Sequence, residues 1–460
     1  MTHTRIFGTD GIRGRAGEGW LAADAVSALG RTAGSVLSEQ ANLGPRGGRR
    51  RGPRRVLLGH DGRRSGPELE AALARGFAAS GFRASSAGLI TTPGVALLCR
   101  LEGFQVAAMI SASHNPAEDN GIKLFNGRGE KLSDELEIEI ERRLAESAEP
   151  AREGPPPAHD PALEGAYLAY MIERAGAGLR LDGLSLVVDC ANGGASRVAP
   201  RVFGRLGAQT IAIHAEPDGD NINRRCGSTQ PADLQAEVRK LGAQVGVALD
   251  GDGDRCVFVD ERGALVHGDG ILTVCARHAM QRCELPGERV VATVMSNRGL
   301  HRALRELGIG VVTVDVGDRN VVEGLRREGL ELGGEQSGHV VFGSDHFHIG
   351  DGIYTALRVL RILRETGKPL SELAAPYQPF PQVLLNVPVA RKPHLSQVPR
   401  VAEAVREIEG ELGEDGRVLL RYSGTEPLAR VMIEGPDGEM IQRRAQALAG
   451  LLAAEIGAPA

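Results

Sequence analysis

Lysine is scarce in this chain. Of 54 basic residues only five are lysines (Lys123, Lys131, Lys240, Lys368 and Lys392), so arginine carries the other 49 positive charges. Aromatic residues make up only 3%, and the formal net charge is −5. An acidic balance gives no global pull toward nucleic acid, and no nucleic-acid partner is expected. No run of 18 apolar residues occurs, which excludes a membrane-spanning helix and leaves no expected membrane partner. The start, Met1-Thr2-His3-Thr4-Arg5, has no apolar stretch of the kind a secretory signal needs. The six cysteines (Cys99, Cys190, Cys226, Cys256, Cys275, Cys283) include no Cys-x-x-Cys pair. They read as reduced, mostly buried thiols of a cytoplasmic protein.

Glycine is abundant, 62 of 460 residues, roughly twice an average usage of ~7%. Without a collagen period, the excess points to many tight loops. Short apolar runs alternate with helical stretches: Val56–Gly59 then 67–80, Ser185–Asp189 then 195–206, 290–294 then 299–307. This alternation predicts α/β architecture with mixed, mainly parallel sheets. Two proline-rich breaks, 150–158 and 376–381, cannot hold a helix or a ladder and read as linkers. A softer boundary lies near Val259. After the second break the pattern strand, helix, two strands, helix predicts a small α+β domain. A stretch with six arginines in twelve residues, Gly44–Arg55, has no aromatics for stacking and reads as a solvated loop.

Four loops carry chemistry. In Ile110-Ser111-Ala112-Ser113-His114-Asn115-Pro116 a hydroxyl follows an apolar strand, with His114 beside it and Lys123 ten residues on. A serine so placed can act as a nucleophile, although no local acid completes a hydrolase triad. In Asp250-Gly251-Asp252-Gly253-Asp254-Arg255 three carboxylates alternate with glycines. Two such charges ~4 Å apart repel by about 4 kcal/mol at an effective dielectric of 20, a cost that a divalent cation removes. Oxygen-only ligands select Mg2+ or Ca2+ over zinc. An EF-hand would need glycine where Arg255 stands, and an aspartyl-phosphate at Asp250 is a rival. Gly333-Gly334-Glu335-Gln336-Ser337-Gly338-His339 gathers short polar groups suited to a polyhydroxylated ligand. Arg421-Tyr422-Ser423-Gly424-Thr425, with Arg430 beyond, suits a dianionic phosphate but lacks the lysine of a P-loop. Together they indicate metal-assisted phosphoryl transfer on a small-molecule sugar phosphate.

These loops, in this order, resemble the α-D-phosphohexomutase superfamily over essentially the whole chain. Phe7-Gly8-Thr9-Asp10-Gly11-Ile12-Arg13-Gly14 looks like its opening signature. Asn221-Ile222-Asn223, Cys226-Gly227-Ser228-Thr229, Thr293-Val294-Met295-Ser296-Asn297 and Gln336 resemble the branch acting on glucosamine phosphates. The resemblance implies three successive α/β domains (1–152, 153–258, 259–375) and a small C-terminal α+β domain (376–460) around a central cleft. It implies that Ser113 is a phosphoserine, and that Asp250, Asp252 and Asp254 hold Mg2+ together with an oxygen of that phosphate. Glu335, Ser337 and His339 would read the sugar. Arg421, Ser423, Gly424, Thr425 and Arg430 would hold the phosphate that is not reacting. His114 and Lys123 are expected to move protons or stabilise charge, Arg255 to add a cation, and Arg13 to touch phosphate. The implied activity is an isomerase interconverting glucosamine 6-phosphate and glucosamine 1-phosphate through glucosamine 1,6-bisphosphate, supplying cell-wall aminosugar precursors. Such an enzyme is expected to be a monomer or homodimer. The alternatives are a superfamily mutase acting on mannose or glucose phosphates, a metal-dependent phosphatase, and a catalytically silent sugar-phosphate sensor. The Arg-rich stretch, Asn320 and His346-Phe347-His348 depart from the superfamily pattern.

Overall fold

The computed structural model describes residues 5–8, 10–42, 54–146, 149–151, 153–394, 397–422 and 427–457. These fall into two units, Met1–Val294 with Val312–Ala374, and Met295–Val311 with Ala375–Ala460. No helix among the described residues is long and apolar enough to cross a membrane.

Three mixed sheets build the first unit. One runs in the order Ile12–Arg15, Asp119–Asn126, Val106–Ile110, Arg54–His60, Phe82–Leu89, Ala158–His159. Its middle strands are parallel, and Val106–Ile110 is buried at every residue, as a strand covered on both faces must be. The second sheet runs Leu265–Val266, Cys256–Val259, Val245–Leu249, Ser185–Asp189, Gln209–Ile213. The third runs Gly310–Val314 (of which Val312–Val314 belong to this unit), Arg289–Thr293, Leu332–Gly334, Val340–Phe342. The same device recurs in all three. A buried strand with a parallel neighbour (Val106–Ile110, Val245–Leu249, Leu332–Gly334) turns back into an antiparallel one. The turns are the loops that carry Ser113, Asp250–Asp254 and Glu335–His339. Turning at a strand's carboxyl end puts polar loops where open α/β sheets bind ligands.

Helices pack on these sheets at the apolar stretches read from the sequence. Thr92–Leu101 starts at Thr91, whose hydroxyl accepts the Gly94 N–H at 3.0 Å, with Pro93 in the first turn. One predicted helix is shorter than expected: 195–206 becomes helical only at Ala199–Arg205. The backbone before it is committed to a turn, in which the Gly194 N–H donates to the Gly251 carbonyl at 2.8 Å. Of the Arg-rich stretch, Arg54 and Arg55 open a strand and the rest lies outside the described residues. Five cysteines are buried, and Cys283 is exposed.

Glu70, on the helix Gly66–Ala79, has a consequence for stability. Burial pushes its carboxyl up to about 7, against a weaker lowering by the Ser86 hydroxyl. Its Oε1 has no hydrogen-bond partner. The folded state then holds a proton that the unfolded chain has released, so stability falls as pH rises from the ordinary glutamate range toward 7. The loss is about 3 kcal/mol when complete. Glu70→Gln is expected to raise the melting temperature at pH 8 by a few degrees and to flatten its dependence between pH 5 and 8. Thermal melts at the two pH values check this.

In the second unit, Gln382–Pro388, Leu428–Glu434 and Arg417–Tyr422 form an antiparallel sheet with Leu428–Glu434 in the centre. Helices Pro399–Leu412 and Gly438–Ile456 cover it, burying Val431, Ile433, Ile441, Leu448 and Leu452. Helix Arg298–Glu306 belongs to the same unit: the Asn297 side chain accepts the Phe380 N–H at 2.8 Å and donates to its carbonyl at 3.1 Å.

Candidate active site

Ser113 is fully buried and sits at φ +53°, a conformation that costs a serine and persists only when its surroundings impose it. Here they do. Arg63, itself 1% exposed, donates to the carbonyls of Ser113 (3.0 Å), Asn115 and Asp119 (2.9 Å each) and Pro116, and pairs with Asp61 at 2.9 Å. Asp61 also accepts the Ser111 hydroxyl at 2.6 Å, and Ser111 Oγ accepts the Ser113 N–H at 2.8 Å. From the second sheet's side, Asn223 Nδ2 donates to the Ser113 carbonyl at 2.8 Å. The contacts that reach residue 113 itself all hold its backbone, which leaves the Ser113 hydroxyl free to point at the acidic loop.

That hydroxyl donates to Asp250 Oδ2 at 2.7 Å. The two loops meet this closely because residue 251 is glycine: a Cβ there would lie 2.6 Å from the Ser113 carbonyl oxygen. Asp250–Arg255 is a hairpin loop between two strands, since Leu249 and Cys256 pair across it, so the EF-hand alternative fails. Asp250, Asp252 and Asp254 are buried, and each offers an oxygen within 4.8 Å of the other two. Thr92 Oγ1 holds Asp252 Oδ2 at 2.5 Å, and the Thr92 N–H holds its carbonyl at 2.8 Å.

The electrostatics are uneven across the three. Burial, with the charges of Asp254 and Asp252, pushes the Asp250 carboxyl well above the usual carboxylate range. Burial also pushes Asp254 upward, but Lys123 and His339 outweigh it and hold that carboxyl low. Lys123 is 1% exposed, 2.8 Å from Asp252, 3.1 Å from Asp10 and 3.5 Å from Asp254. Burial opposes its charge, yet Asp10, Asp252 and Asp254 together keep the ammonium well above the ordinary lysine range. Arg255 Nε lies 3.7 Å from Asp254. Asp252 Oδ1 and Asp254 Oδ1 are buried with no hydrogen-bond partner. Asp254 Oδ1 has Arg255 and His339 within ion-pair distance, but Asp252 Oδ1 has neither. A buried carboxylate oxygen so placed costs free energy unless a cation meets it, and an all-oxygen set fits a hard divalent ion such as Mg2+.

Glu335 and His339 bracket the third loop. Glu335 Oε1 accepts the Gly317 N–H at 3.1 Å, and His339 Nδ1 lies 3.9 Å from Asp254. Gly338 sits at φ +94°, and a Cβ there would meet the Cys256 carbonyl at 2.2 Å, so only glycine lets this loop press on the acidic hairpin. A cavity of about 440 Å³ opens over these groups, lined by Arg13, His114, Asp254, Arg255, Glu335 and His339 among others. His114 is exposed, its Nδ1 3.4 Å from Ser113 Oγ. Ser337 is exposed and does not line the cavity. In the second unit Arg421 and Arg430 are direct cross-strand partners. Ser423, Gly424 and Thr425 lie outside the described residues.

Sequence reasoning passed over Asp10, Asp61, Arg63, Thr92, Asn223 and Asp318. Asp61-Gly62-Arg63 did carry a signal, an acid and a base flanking glycine at the end of a strand. Asn223 carried another, lying in a segment already singled out for its resemblance to the glucosamine branch.

Comparison with known proteins agrees with the architecture. Models of phosphoglucomutase/phosphomannomutase alpha/beta/alpha domains I, II and III match residues 4–151, 166–263 and 267–380, and the C-terminal domain matches 384–451. Proteins named phosphoglucosamine mutase from Anaeromyxobacter dehalogenans and Frankia alni are 44% and 47% identical. They align over 98% and 99% of this chain, and over 98% and 100% of their own lengths. The crystal structure of a phosphoglucomutase/phosphomannomutase family protein from Burkholderia thailandensis superimposes with a TM-score of 0.79 at 27% identity, covering 99% of this chain and 98% of that one. Sequence and fold agree: the chain belongs to the phosphoglucosamine mutase family, a branch of the phosphoglucomutase/phosphomannomutase proteins.

Proposed function

We propose that this chain is an isomerase that interconverts glucosamine 6-phosphate and glucosamine 1-phosphate through a phosphoserine at Ser113 and a glucosamine 1,6-bisphosphate intermediate. One observation carries the reading: the Ser113 hydroxyl, held by a buried scaffold, lies 2.7 Å from the first of three clustered carboxylates. A serine placed only for structure does not require a buried cluster of three carboxylates beside it.

The residues divide the work as follows. Asp250, Asp252 and Asp254 would hold Mg2+, which when bound supplies positive charge against the oxygens of a transferring phosphoryl group. Lys123, kept as an ammonium by three carboxylates, stabilises charge rather than accepting a proton. His114, exposed beside Ser113, takes the proton from the sugar hydroxyl as the new sugar O–P bond forms and passes it to Ser113 Oγ, which leaves as the Oγ–P bond breaks. The reverse transfer, from the other end of the bisphosphate, moves the Ser113 proton through His114 to the sugar oxygen that is released, and rephosphorylates Ser113. Glu335 and His339, which line the cavity, read the sugar, with Ser337 at the exposed tip of the same loop as the further candidate, and Arg13 and Arg255 contact phosphate. Arg421, Ser423, Gly424, Thr425 and Arg430 hold the distal phosphate, paired guanidiniums being suited to a dianion. In the same reading the four domains are 1–152, 153–258, 259–375 and 376–460, and the enzyme works in the cytoplasm as a monomer or homodimer.

Substrate comparison tests the reading. With Mg2+ and a trace of 1,6-bisphosphate, kcat/KM for glucosamine 6-phosphate is expected to exceed that for glucose and mannose 6-phosphates by at least about tenfold, the scale set by one well-placed polar contact. A clear preference for mannose or glucose would move the assignment to the neighbouring mutases. Steady release of inorganic phosphate without isomer would make the protein a phosphatase, and tight binding without turnover a sensor.

A further inference from the structure

Two of the chain's five lysines meet at one carboxylate. Asp10 Oδ2 lies 3.1 Å from Lys123 Nζ, and Asp10 Oδ1 lies 2.5 Å from Lys131 Nζ, with Arg13 also on Asp10. Lys131 reaches onward to Asp318 at 2.5 Å. The result is an unbroken row of alternating charges: Asp252, Lys123, Asp10, Lys131, Asp318. Asp318 opens the helix Asp318–Glu328, directly after Gly317, whose N–H is bound by Glu335. The neighbouring Arg319 donates to the Leu132 carbonyl at 2.9 Å, which fixes the segment carrying Lys131 against that helix. A lysine suits the middle of this row, because a compact ammonium can sit between two carboxylates where a planar guanidinium fork would impose its own geometry. In a chain that uses arginine for 49 of 54 cations, lysine at this place is a specific choice.

We propose that Lys131 is a positioning residue: by sharing Asp10 with Lys123, it sets how far the Lys123 ammonium leans toward Asp252. The proposal deepens the mutase reading and rests on it for the catalytic role of Lys123. With Lys131 present, Asp10 is largely satisfied and Lys123 stays on the acidic loop. Without it, Asp10 draws Lys123 away, leaving the transferring phosphate short of a cation and the three carboxylates less neutralised. The row also links the segment next to the sugar-reading Glu335 to the reacting centre.

Opposite signs test it. Mn2+ binding to the unphosphorylated protein, followed by electron paramagnetic resonance, needs no turnover. Lys131→Met is expected to bind Mn2+ about fivefold more tightly than wild type, since Lys123 no longer competes for Asp252. Asp318→Asn is expected to bind it more weakly, because Lys131 then serves Asp10 alone and Lys123 leans further in. Adding Asp10→Asn to Lys131→Met should return the affinity toward wild type. In the mutase assay Lys131→Met is expected to lower kcat about tenfold with KM within twofold, and Asp10→Asn to restore part of that loss. Weaker or unchanged Mn2+ binding in Lys131→Met overturns the proposal, as does a double variant no better than the single one. If Lys131→Met fails to fold, the Asp318→Asn affinity decides alone. A wild type that turns over no sugar phosphate refutes the functional reading, while the Mn2+ series still reports on the positioning.

Discussion

Ser113→Ala is expected to fold as wild type does and to lose at least about four orders of magnitude in interconversion, because the group that carries the phosphoryl between the two sugar positions is gone. Stability should fall only modestly. The substitution removes the hydrogen bond to the buried Asp250 Oδ2, a cost of about 1–3 kcal/mol, while Asp250 Oδ1 keeps the Arg255 N–H at 3.2 Å. The backbone at 113 is held by Arg63, Ser111 and Asn223 through main-chain atoms, and those contacts do not depend on the side chain. Alanine at φ +53° is no worse placed than serine. Paired measurements of melting temperature and of glucosamine 1-phosphate formation check both halves. A variant that retains wild-type turnover would exclude the phosphoserine.

The second large effect concerns the acidic loop. Asp252→Asn keeps the shape of a side chain that meets Thr92 and Lys123, but removes one of the three charges that would hold the divalent ion. Mg2+ affinity is expected to fall at least tenfold and kcat about a thousandfold at Mg2+ levels that saturate the wild type. Chelation of the wild type should abolish turnover and Mg2+ should restore it, whereas restoration in Asp252→Asn should be slight. Calorimetric titration and activity against Mg2+ concentration give the two numbers. Full activity of Asp252→Asn, or of chelated wild type, would remove the metal from the account. Because Lys123 keeps Asp10 and Asp254 as partners in this variant, the loss is not a collapse of the buried network.

How far such residues could be read in advance follows from how local their signals are. The Asp250–Asp254 run is legible because its conflict of charge lies within five consecutive residues. The strand Val106–Ile110 and the turn after it are legible because an unbroken apolar run ends at Ser111 and Asn115-Pro116. The helix at Ala199 was misjudged in its start because apolar periodicity does not register that Gly194 is engaged by Gly251, more than fifty residues away. The same limit hid Arg63 and Thr92. Each is an ordinary residue in an ordinary pattern until the fold sets it against the Ser113 backbone or Asp252. Lys131 and Asp318 are further cases: nothing in the sequence joins positions 187 residues apart, and only the scarcity of lysine hinted that Lys131 had a reason to be one. The mixed character of the sheets was legible in outline, but the shared device was not. That three motif loops in the first unit each turn a buried strand back on an antiparallel neighbour follows from pairing, which is non-local by nature.

The central claim is that the phosphoryl group passes through Ser113. Enzyme carrying radiolabelled phosphate on Ser113, mixed with one equivalent of unlabelled glucosamine 6-phosphate and Mg2+, tests it in a single turnover. The expected result is that label leaves the protein as sugar bisphosphate and is then shared between glucosamine phosphates and Ser113. Label that stays on the protein while glucosamine 1-phosphate accumulates would contradict the account.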